Sequence, residues 1–306
     1  MSADSYPENG RRYHAWRRDQ YMYPCDEVRS PPSLHLPIRA DHWIQDEKER
    51  LDVLHKLFKV ARQGTLHSTR ISKGPDQARI LDLGCGTGFW AMDMGDEYPN
   101  AEIIGVDLVN IQPPSIPPAT RFRIPFDYES PWALGRDSWD LIHLQLGCGS
   151  VASWPDLLYK IFTHLKPGVG CFELVEIDYK PRCDDGTLAP DSPLVQWYNY
   201  LEDATGRASR PIAYPQNMRQ MLTGAGFTDI EHKTIALPYN EWPVDPHQKE
   251  LGRWQRLAFD ECKGIEALSM AAFTRIYNWS PDSVNNYARA VRSVTRRKAI
   301  HAYNHM

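Results

Sequence analysis

The segment 80–88 holds the residues whose spacing most clearly predicts chemistry. Its letters, ILDLGCGTG, end a short apolar run on the alternate glycines Gly84, Gly86 and Gly88, with Cys85 between the first two. A strand that ends in glycines and opens into a helix lets backbone N–H groups approach a ligand, because no Cβ intervenes. The segment therefore predicts a site for a nucleotide-like ligand, with an ordinary tight turn as the alternative.

An acidic residue, Asp82, precedes the first of these glycines by two positions. The glycines are spaced G-x-G-x-G, whereas the dinucleotide-binding fingerprint is G-x-G-x-x-G. A carboxylate would repel a pyrophosphate, but it would attract a ligand that carries a positive ammonium group. S-adenosylmethionine (SAM) has such a group in its methionine moiety, so we expect the loop from Asp82 to Gly88 to bind SAM rather than NAD.

Further polar residues follow the next predicted strands. Asp107 ends the run IIGVD and precedes Leu108, and a carboxylate at this place can accept hydrogen bonds from both ribose hydroxyls. Asp127 and Tyr128 follow RFRIPF, where a carboxylate can accept from an adenine amino group, although an Asp here is often only a turn residue. Gln145 ends LIHLQ and is expected near the transferable methyl group.

These side chains need a sheet that brings the ends of its strands together. The sequence predicts strands at 78–84, 101–109, 121–128, 138–146 and 170–179, with helices at 88–98 and 154–166. Strands that alternate with helices indicate a Rossmann-like α/β fold, with a mostly parallel sheet covered by helices on both faces. Ligands bind at the carboxyl ends of the strands in such sheets, which is where the polar residues stand.

The rest of the chain is predicted to flank and cap this sheet. An amphipathic helix is expected from Asp41 to Gln63, helices over 191–225 and 247–299, a strand over 227–237, and the start of a final strand in AIHAYNHM. The predicted organisation is an N-terminal arm at 1–40 and one domain at 41–306, with its cofactor-binding core at 76–180 and its cap helices and C-terminal half at 181–306. The arm is either a lid, with Tyr13 at the cofactor, or a disordered tail.

The amino-acid composition limits which cellular compartments and which binding partners we expect. The 306 residues are 42% hydrophobic and 24% charged, so a core can form without disulfides or metals. A net charge of -4 argues against a general nucleic-acid binder. The Arg-rich run 289–298 is interpreted as a solvated helix face, with contact to nucleic acid or to a nuclear import receptor as the alternative. The six cysteines show no metal-site spacing, and neither a signal peptide nor a membrane span is predicted. We expect the protein in the nucleus and/or the cytoplasm.

Longer stretches of the sequence resemble one known family. ILDLGCGTGFW, GVDLV and DSWDLIHLQLG resemble class I methyltransferases, while FDYESPW, VEIDYKPRCDDGTL, SPLVQWYNYLEDATGRA and IHAYN resemble the LaeA-like methyltransferases of filamentous fungi. The resemblance runs from about residue 76 to the end of the chain. It implies a seven-stranded sheet, SAM as cofactor, and a nuclear regulator of secondary metabolism and development that works with a velvet-type regulatory protein.

The methyl acceptor and the catalytic residue are not predicted by the sequence. A sulfonium methyl group is already activated, so the main tasks are to hold the nucleophile in line and to exclude water. His143, Glu173, Glu176 and Tyr13 are candidates for a base, but each has a structural alternative and none is assigned. Three functions stay open: methylation of a protein, methylation of a small natural product, and a SAM-binding scaffold of a transcriptional complex.

Overall fold

The computed structural model describes residues 5–15, 22–24, 42–69, 71 and 77–306. The helices are α1 (His42–Ala61), α2 (Phe89–Glu97), α3 (Trp154–His164), α4 (Pro193–Arg207), α5 (Met218–Ala225), α6 (Pro246–Arg256), α7 (Gly264–Tyr277) and α8 (Pro281–Thr295). The strands are β1 (Ser5–Glu8), β2 (Arg11–His14), β3 (Arg79–Leu83), β4 (Glu102–Val106), β5 (Thr120–Arg123), β6 (Leu141–Gln145), β7 (Cys171–Val175), β8 (Asp178–Arg182), β9 (Ala236–Pro238) and β10 (Tyr303–His305). A π-helical turn, Leu257–Glu261, follows α6.

The chain divides into two compact units. The first, called the sheet unit, comprises residues 62–177 and 214–234. The second, called the helical unit, comprises residues 178–213 and 235–306 together with the described part of 1–61. Residues 16–21 and 25–40 of the expected arm lie outside the described residues. The arm at 1–40 and the domain at 41–306 stay predictions, because a compact unit need not be an independently folding domain.

The sheet unit is built on a parallel sheet with the strand order β5-β4-β3-β6-β7. The chain runs from β3 outward to β4 and β5, then returns to the other side of β3 to form β6 and β7. The strand order therefore reverses beside β3, and open α/β sheets bind ligands at such a point. The predicted α/β fold with a parallel sheet is confirmed.

Apolar side chains cover both faces of this sheet. Leu81 and Leu83 of β3 belong to one buried cluster, together with Leu158 of α3. Ile80 of the same strand belongs to a second buried cluster, together with Trp90 of α2. Successive side chains of a strand point to opposite faces, so the division of β3 between two clusters shows a sheet that is buried on both sides.

The main sheet has five strands, where seven were expected. The predicted strand over 170–179 is split, because β7 ends at Val175 and β8 begins at Asp178 in the helical unit. Between them, the Glu176 carboxylate accepts hydrogen bonds from the N–H groups of Gly147 and Cys148. The chain at Glu176 is thus held by the loop after β6 instead of by a further ladder partner, and the parallel sheet stops at β7.

The C-terminal strand predicted in AIHAYNHM forms, and it lies outside the parallel sheet. β10 is the middle strand of a three-stranded sheet in the helical unit, and it pairs antiparallel with both β8 and β9. The strand predicted over 227–237 is mostly wrong, since the strand that forms is Ala236–Pro238, preceded by a backbone pair between Ile235 and Met306. Gly226 and Asp229 have left-handed backbones, with φ of 109° and 51°, and these interrupt an extended chain.

The helical unit contains the amphipathic helix predicted at 41–63, which the structure places at α1. Leu54, Leu57 and Phe58 of α1 are buried. In the same unit β1 and β2 form an antiparallel hairpin, and Glu8 of this hairpin pairs with Arg275 of α7 at 2.6 Å. None of the helices in the described ranges is long and apolar enough to cross a membrane.

The Arg-rich run 289–298 meets acidic side chains of the helical unit. Arg292 forms an ion pair with Glu266, and Arg296 forms one with Asp260 at 3.0 Å. Part of the positive charge of this run is therefore balanced within the unit, so it offers a weaker attraction to phosphates than its sequence alone would indicate.

Candidate active site

The glycine loop leads from β3 into α2. Gly84, Gly86 and Gly88 have φ of 66°, 55° and 82°, a left-handed conformation that residues with a Cβ rarely adopt. The Gly88 N–H donates to the carbonyl of the half-buried Cys85 at 2.8 Å, which closes the turn. The loop backbone thus requires these glycines, and it also leaves the N-terminus of α2 accessible to a ligand.

Phe122 of β5 packs against this loop and sets a second requirement for glycine. A Cβ on Gly88 would lie 2.4 Å from the Phe122 ring, and a Cβ on Gly105 of β4 would lie 2.7 Å from it. Neither distance is compatible with van der Waals contact, so the ring fits only because both positions lack a side chain. Phe122 therefore fixes how closely β5, β4 and the glycine loop approach one another.

Asp82 is buried and bonded to His143, a residue of the neighbouring strand β6. Its Oδ1 lies 2.8 Å from His143 Nδ1, and the imidazole stacks on Trp90 with a centroid separation of 3.7 Å and an interplanar angle of 6°. His143 Nε2 is buried and has no hydrogen-bond partner among the described residues. His143 therefore orients the Asp82 carboxylate. This is a structural role, the alternative to a catalytic base.

Asp107 follows β4 and holds the glycine loop. Its Oδ2 accepts from the Gly86 N–H at 2.7 Å and its Oδ1 from the Val109 N–H at 3.0 Å. Burial raises the pKa of Asp107 to about 6, although the N–H groups of Gly86, Val109 and the half-buried Leu108 act against this rise. Asp107 therefore connects the end of β4 to the loop after β3, at the strand end where a ribose anchor is predicted.

Gln112 fixes the glycine loop as well, and no sequence signal marks it. Its Nε2 donates to the carbonyls of Gly86 at 2.6 Å and Val109 at 3.2 Å. The residue opens the proline-rich stretch QPPSIPP, which matches no binding motif. Its contact partners lie up to 26 residues away in the chain, so only the fold shows its position.

Asp127 and Tyr128 lie in the loop after β5. The Asp127 carboxylate accepts from the Glu129 N–H at 2.8 Å and from the Ser130 hydroxyl at 2.9 Å, which is the hydrogen-bond pattern of an Asx turn. Asp127 thus has the hydrogen bonds expected of a turn residue, which is the alternative to a role in binding adenine. The Tyr128 ring lies beside the glycine loop, 3.4 Å from where a Cβ on Gly84 would be. Contact of either residue with adenine stays a prediction.

Lys160 of α3 anchors the loop after β5, and the sequence gives no sign of this role. Its Nζ donates to the carbonyls of Tyr128, Glu129 and Ser130 at 3.1, 2.7 and 2.8 Å. The same ammonium lies 5.6 Å from the centre of the Trp132 ring. These three hydrogen bonds to a charged donor tie the candidate adenine loop to α3.

The ends of β6 and β7 form the other side of the site. Gln145, the last residue of β6, is half-buried, and Leu146 after it has a left-handed backbone with φ of 59°. Glu176 follows β7, and burial raises its pKa to about 8. Glu173 of β7 forms an ion pair with Arg62 and accepts from the Ser68 N–H. These contacts are the structural alternative to a role of Glu173 as a base.

Comparison with known proteins gives this arrangement a family. The family profile described as "Methyltransferase domain" matches residues 51–232. The secondary metabolism regulator LAE1 of Cochliobolus heterostrophus is 54% identical over 99% of this chain and 92% of that protein. The chain belongs to the LaeA-like methyltransferase family.

Two further proteins, one of known sequence and one of known structure, are similar to this chain. A protein of Emericella nidulans named protein-methionine methyltransferase laeA is 46% identical to this LaeA-like chain, over 98% of the chain and 74% of the relative. Among solved structures, phosphoethanolamine N-methyltransferase 2 of Haemonchus contortus aligns with 84% of this chain and 50% of its own, at 15% identity and a TM-score of 0.45.

The chain is thus an enzyme, a SAM-dependent methyltransferase. The residues present fit this cofactor, since the left-handed glycines leave a cradle of bare backbone and the carboxylates of Asp82 and Asp107 stand at the ends of β3 and β4. Bound SAM supplies a methyl group on a sulfonium, and the residues of the chain bind and orient it. No group of His, Cys, Asp or Glu suited to a metal ion occurs among the residues that the structure describes.

The sheet unit brings together every predicted cofactor residue except Tyr13. Tyr13 is buried in the helical unit, where the Arg275 guanidinium carbon lies 4.6 Å from the centre of its ring and the Tyr6 ring lies 6.2 Å away. These contacts give Tyr13 a packing role in its own unit. Its predicted role at the cofactor stays a prediction.

Proposed function

We propose that this enzyme transfers the methyl group of SAM to a methionine thioether of a protein substrate, and that it thereby regulates secondary metabolism. The observation that carries the proposal is the similarity over nearly the whole chain to a relative named protein-methionine methyltransferase and to one named a secondary metabolism regulator. The glycine loop with its two strand-end carboxylates supports the cofactor half of the reaction.

The residues proposed to bind the cofactor follow the strands of the parallel sheet, with Tyr13 of β2 as the exception. Asp82 attracts the ammonium group of the methionine moiety, Asp107 accepts from the ribose hydroxyls, and Gln145 lies near the methyl group. The remaining members of the proposed set are Gly84, Cys85, Gly86, Gly88, Leu108, Asp127, Tyr128 and Tyr13.

The transfer itself needs no proton acceptor when the acceptor is a thioether. A lone pair of the acceptor sulfur forms a bond to the methyl carbon while the bond from that carbon to the cofactor sulfur breaks. The bonding pair stays on the cofactor sulfur, which becomes the neutral thioether of S-adenosylhomocysteine (SAH), and the positive charge moves to the acceptor sulfur. The enzyme therefore needs to align the two sulfur atoms and exclude water.

Incorporation of labelled methyl groups tests this function. The purified enzyme, SAM with an isotopically labelled methyl group, and a fungal nuclear extract should yield proteins labelled on methionine, located by mass spectrometry of their peptides. An Asp107→Asn enzyme should label much less, while Asp96→Asn, which changes an exposed carboxylate of α2, should label normally. Label found only in small molecules, with proteins unlabelled, would contradict the proposal.

We also propose that the enzyme acts in the nucleus and/or the cytoplasm, with a velvet-type regulatory protein as partner. The resemblance to LaeA-like regulators supports this partnership. Binding should use surface other than the cofactor loop, so a velvet-type protein expressed with the enzyme should co-purify equally with the wild type and with Asp107→Asn. Failure of the velvet-type protein to co-purify with the wild type would count against the partnership.

A further inference from the structure

Glu176 lies at the carboxyl edge of the main sheet. It follows β7 directly, and β7 pairs with β6, which in turn pairs with β3. The cofactor loop follows β3, while the predicted ribose and adenine residues follow β4 and β5 on its other side. Glu176 therefore stands at the ligand edge, on the side of β3 opposite the residues predicted to bind the nucleoside.

One oxygen of the Glu176 carboxyl group is firmly held. Its Oε1 accepts from the Gly147 N–H at 2.7 Å and from the Cys148 N–H at 3.1 Å. Gly147 is two residues beyond Gln145, and a Cβ on Gly147 would lie 3.1 Å from Oε1 and 2.9 Å from the Trp154 ring. The glycine thus lets the loop after β6 come close enough to bind Glu176, which fixes the carboxyl group against Gly147 and Cys148.

The other oxygen of Glu176 is buried without a partner. Glu176 is only 8% exposed, and its Oε2 has no hydrogen-bond partner among the described residues. An unpaired buried carboxylate oxygen costs free energy, and a proton on the group lowers that cost. Burial accordingly raises the pKa of Glu176 to about 8, against the opposing effect of the Gly147 and Cys148 N–H groups and the Cys148 side chain.

The titratable neighbours of Glu176 are few in the described part of the sheet unit. Cys148, in the loop after β6, forms a side-chain hydrogen bond that lowers the pKa of Glu176. Tyr214, which precedes α5, interacts electrostatically with both Cys148 and Glu176. Burial and these two neighbours raise the pKa of Tyr214 to about 12, while Arg219 acts in the opposite direction. Among the described residues no basic side chain offsets the charge of an ionised Glu176, so a cation that arrives with a ligand would find an unmatched carboxyl group.

We infer that Glu176 is the carboxyl group that faces the positive charge of the methyl-transfer step, on the acceptor side of the site. Methyl transfer moves a positive charge from the cofactor sulfur to the acceptor atom, as the new bond to the methyl carbon forms and the old one breaks. Glu176 binds a proton in the resting enzyme and releases it to solvent when the sulfonium arrives, after which its anion stabilises the charge on either side of the methyl group. This role goes beyond the proposed function, because it does not depend on which acceptor is methylated.

A comparison of SAM with SAH tests the inference without any acceptor. SAM carries the sulfonium charge and SAH does not, so calorimetry should measure both dissociation constants between pH 6 and pH 9. For the wild type, the preference for SAM over SAH should increase with pH by about three- to tenfold and level off above pH 8, as Glu176 ionises. Asp107 and the other nucleoside contacts affect both ligands alike and cancel in this ratio.

Glu176→Gln is the decisive variant, because its amide oxygen can still accept from Gly147 and Cys148 but cannot ionise. The α-amino groups of the two ligands titrate in every variant, so the difference between wild type and Glu176→Gln isolates Glu176. In Glu176→Gln the added pH dependence should vanish. Glu231→Gln, which changes an exposed carboxylate of the same unit, should retain it. Equal pH dependence of the ratio in wild type and Glu176→Gln overturns the inference.

A measurement on the wild type alone covers the case in which Glu176→Gln does not fold. Difference infrared spectra at pH 7 should show the loss of a protonated carboxyl band when SAM binds and little loss when SAH binds. An unchanged band with both ligands overturns the inference. Failure of the proposed function would look different, since proteins would stay unlabelled while the preference for SAM still varied with pH.

Discussion

At the scale of single residues, carboxyl groups at the strand ends have two tasks. Asp107 holds the Gly86 N–H as well as standing where the ribose is predicted to bind, and Asp82 is oriented by His143. A carboxylate with several N–H donors keeps spare lone pairs, so it can hold the loop and still accept from a ligand. This double use lets one carboxylate both shape the loop and accept from a ligand.

The pH dependence of SAM binding checks the role of Asp107. Ribose hydroxyls donate to the ionised carboxylate, so SAM binds the ionised form more tightly, and its affinity should rise as pH increases from 5 to 7 through the pKa of about 6. Asp107→Asn should weaken binding by about one to two powers of ten, since a hydrogen bond to a charged group contributes roughly 1.5 to 3 kcal/mol.

Calorimetry between pH 5 and pH 8 gives both results for Asp107, with Asp96→Asn as the control. Asp107→Asn should also lose the rise between pH 5 and pH 7. An unchanged dissociation constant in Asp107→Asn would show that the ribose is anchored elsewhere.

At the scale of elements, the site depends on contacts that fasten one loop to another element. Lys160 of α3 binds three successive carbonyls of the loop after β5, and Phe122 of β5 packs against Gly88 of the cofactor loop. Loops positioned by rigid elements lose little further conformational entropy when a ligand binds. The helices and strands therefore contribute to affinity without touching the cofactor.

Lys160→Met tests this contribution. The substitution keeps an unbranched side chain of similar length but removes the ammonium, so the carbonyls of Tyr128, Glu129 and Ser130 lose their donor. We expect a several-fold weaker affinity for SAM and faster amide hydrogen exchange in residues 127–132, with the fold retained. Lys233→Met, at an exposed position, should change neither. Unchanged exchange in Lys160→Met would remove Lys160 from this role.

At the scale of the whole molecule, the two units have different kinds of sheet. The sheet unit has its parallel strands buried on both faces, while the helical unit has a small antiparallel sheet whose middle strand is β10. Asn304 of β10 is fully buried, whereas His305 beside it is partly exposed. The last residues of the chain thus complete the core of the helical unit.

Removal of residues 303–306 should therefore destabilise the helical unit. The deletion leaves β8 and β9 without their shared partner, which exposes unpaired backbone groups and favours aggregation. Thermal unfolding should show a clearly lower Tm and loss of cooperativity. Asn304→Ala should lower Tm more than His305→Ala, because only the first removes a buried polar side chain. A Tm equal to that of the wild type after deletion would contradict the central position of β10.

The sequence by itself determined the features that depend on neighbouring residues. The alternate glycines of 84–88, the acidic residue before them and the alternation of strands with helices predict the fold class and the cofactor, because backbone conformation and side-chain period are local properties. The strand ends near Asp107 and at Gln145 follow from the same periods, since parallel strands end at one edge of a sheet, whereas β5 already ends at Arg123, before Asp127.

Only the tertiary structure decided which distant residues meet. Asp82 and His143 are 61 residues apart, Lys160 and the carbonyl of Tyr128 are 32 apart, and Glu176 and the N–H of Gly147 are 29 apart. The sequence predicts a final strand in AIHAYNHM but not its partners, which are β8 and β9. Each of these contacts follows from strand order and from which groups are buried together, and no local pattern carries that information because burial is a property of the whole fold.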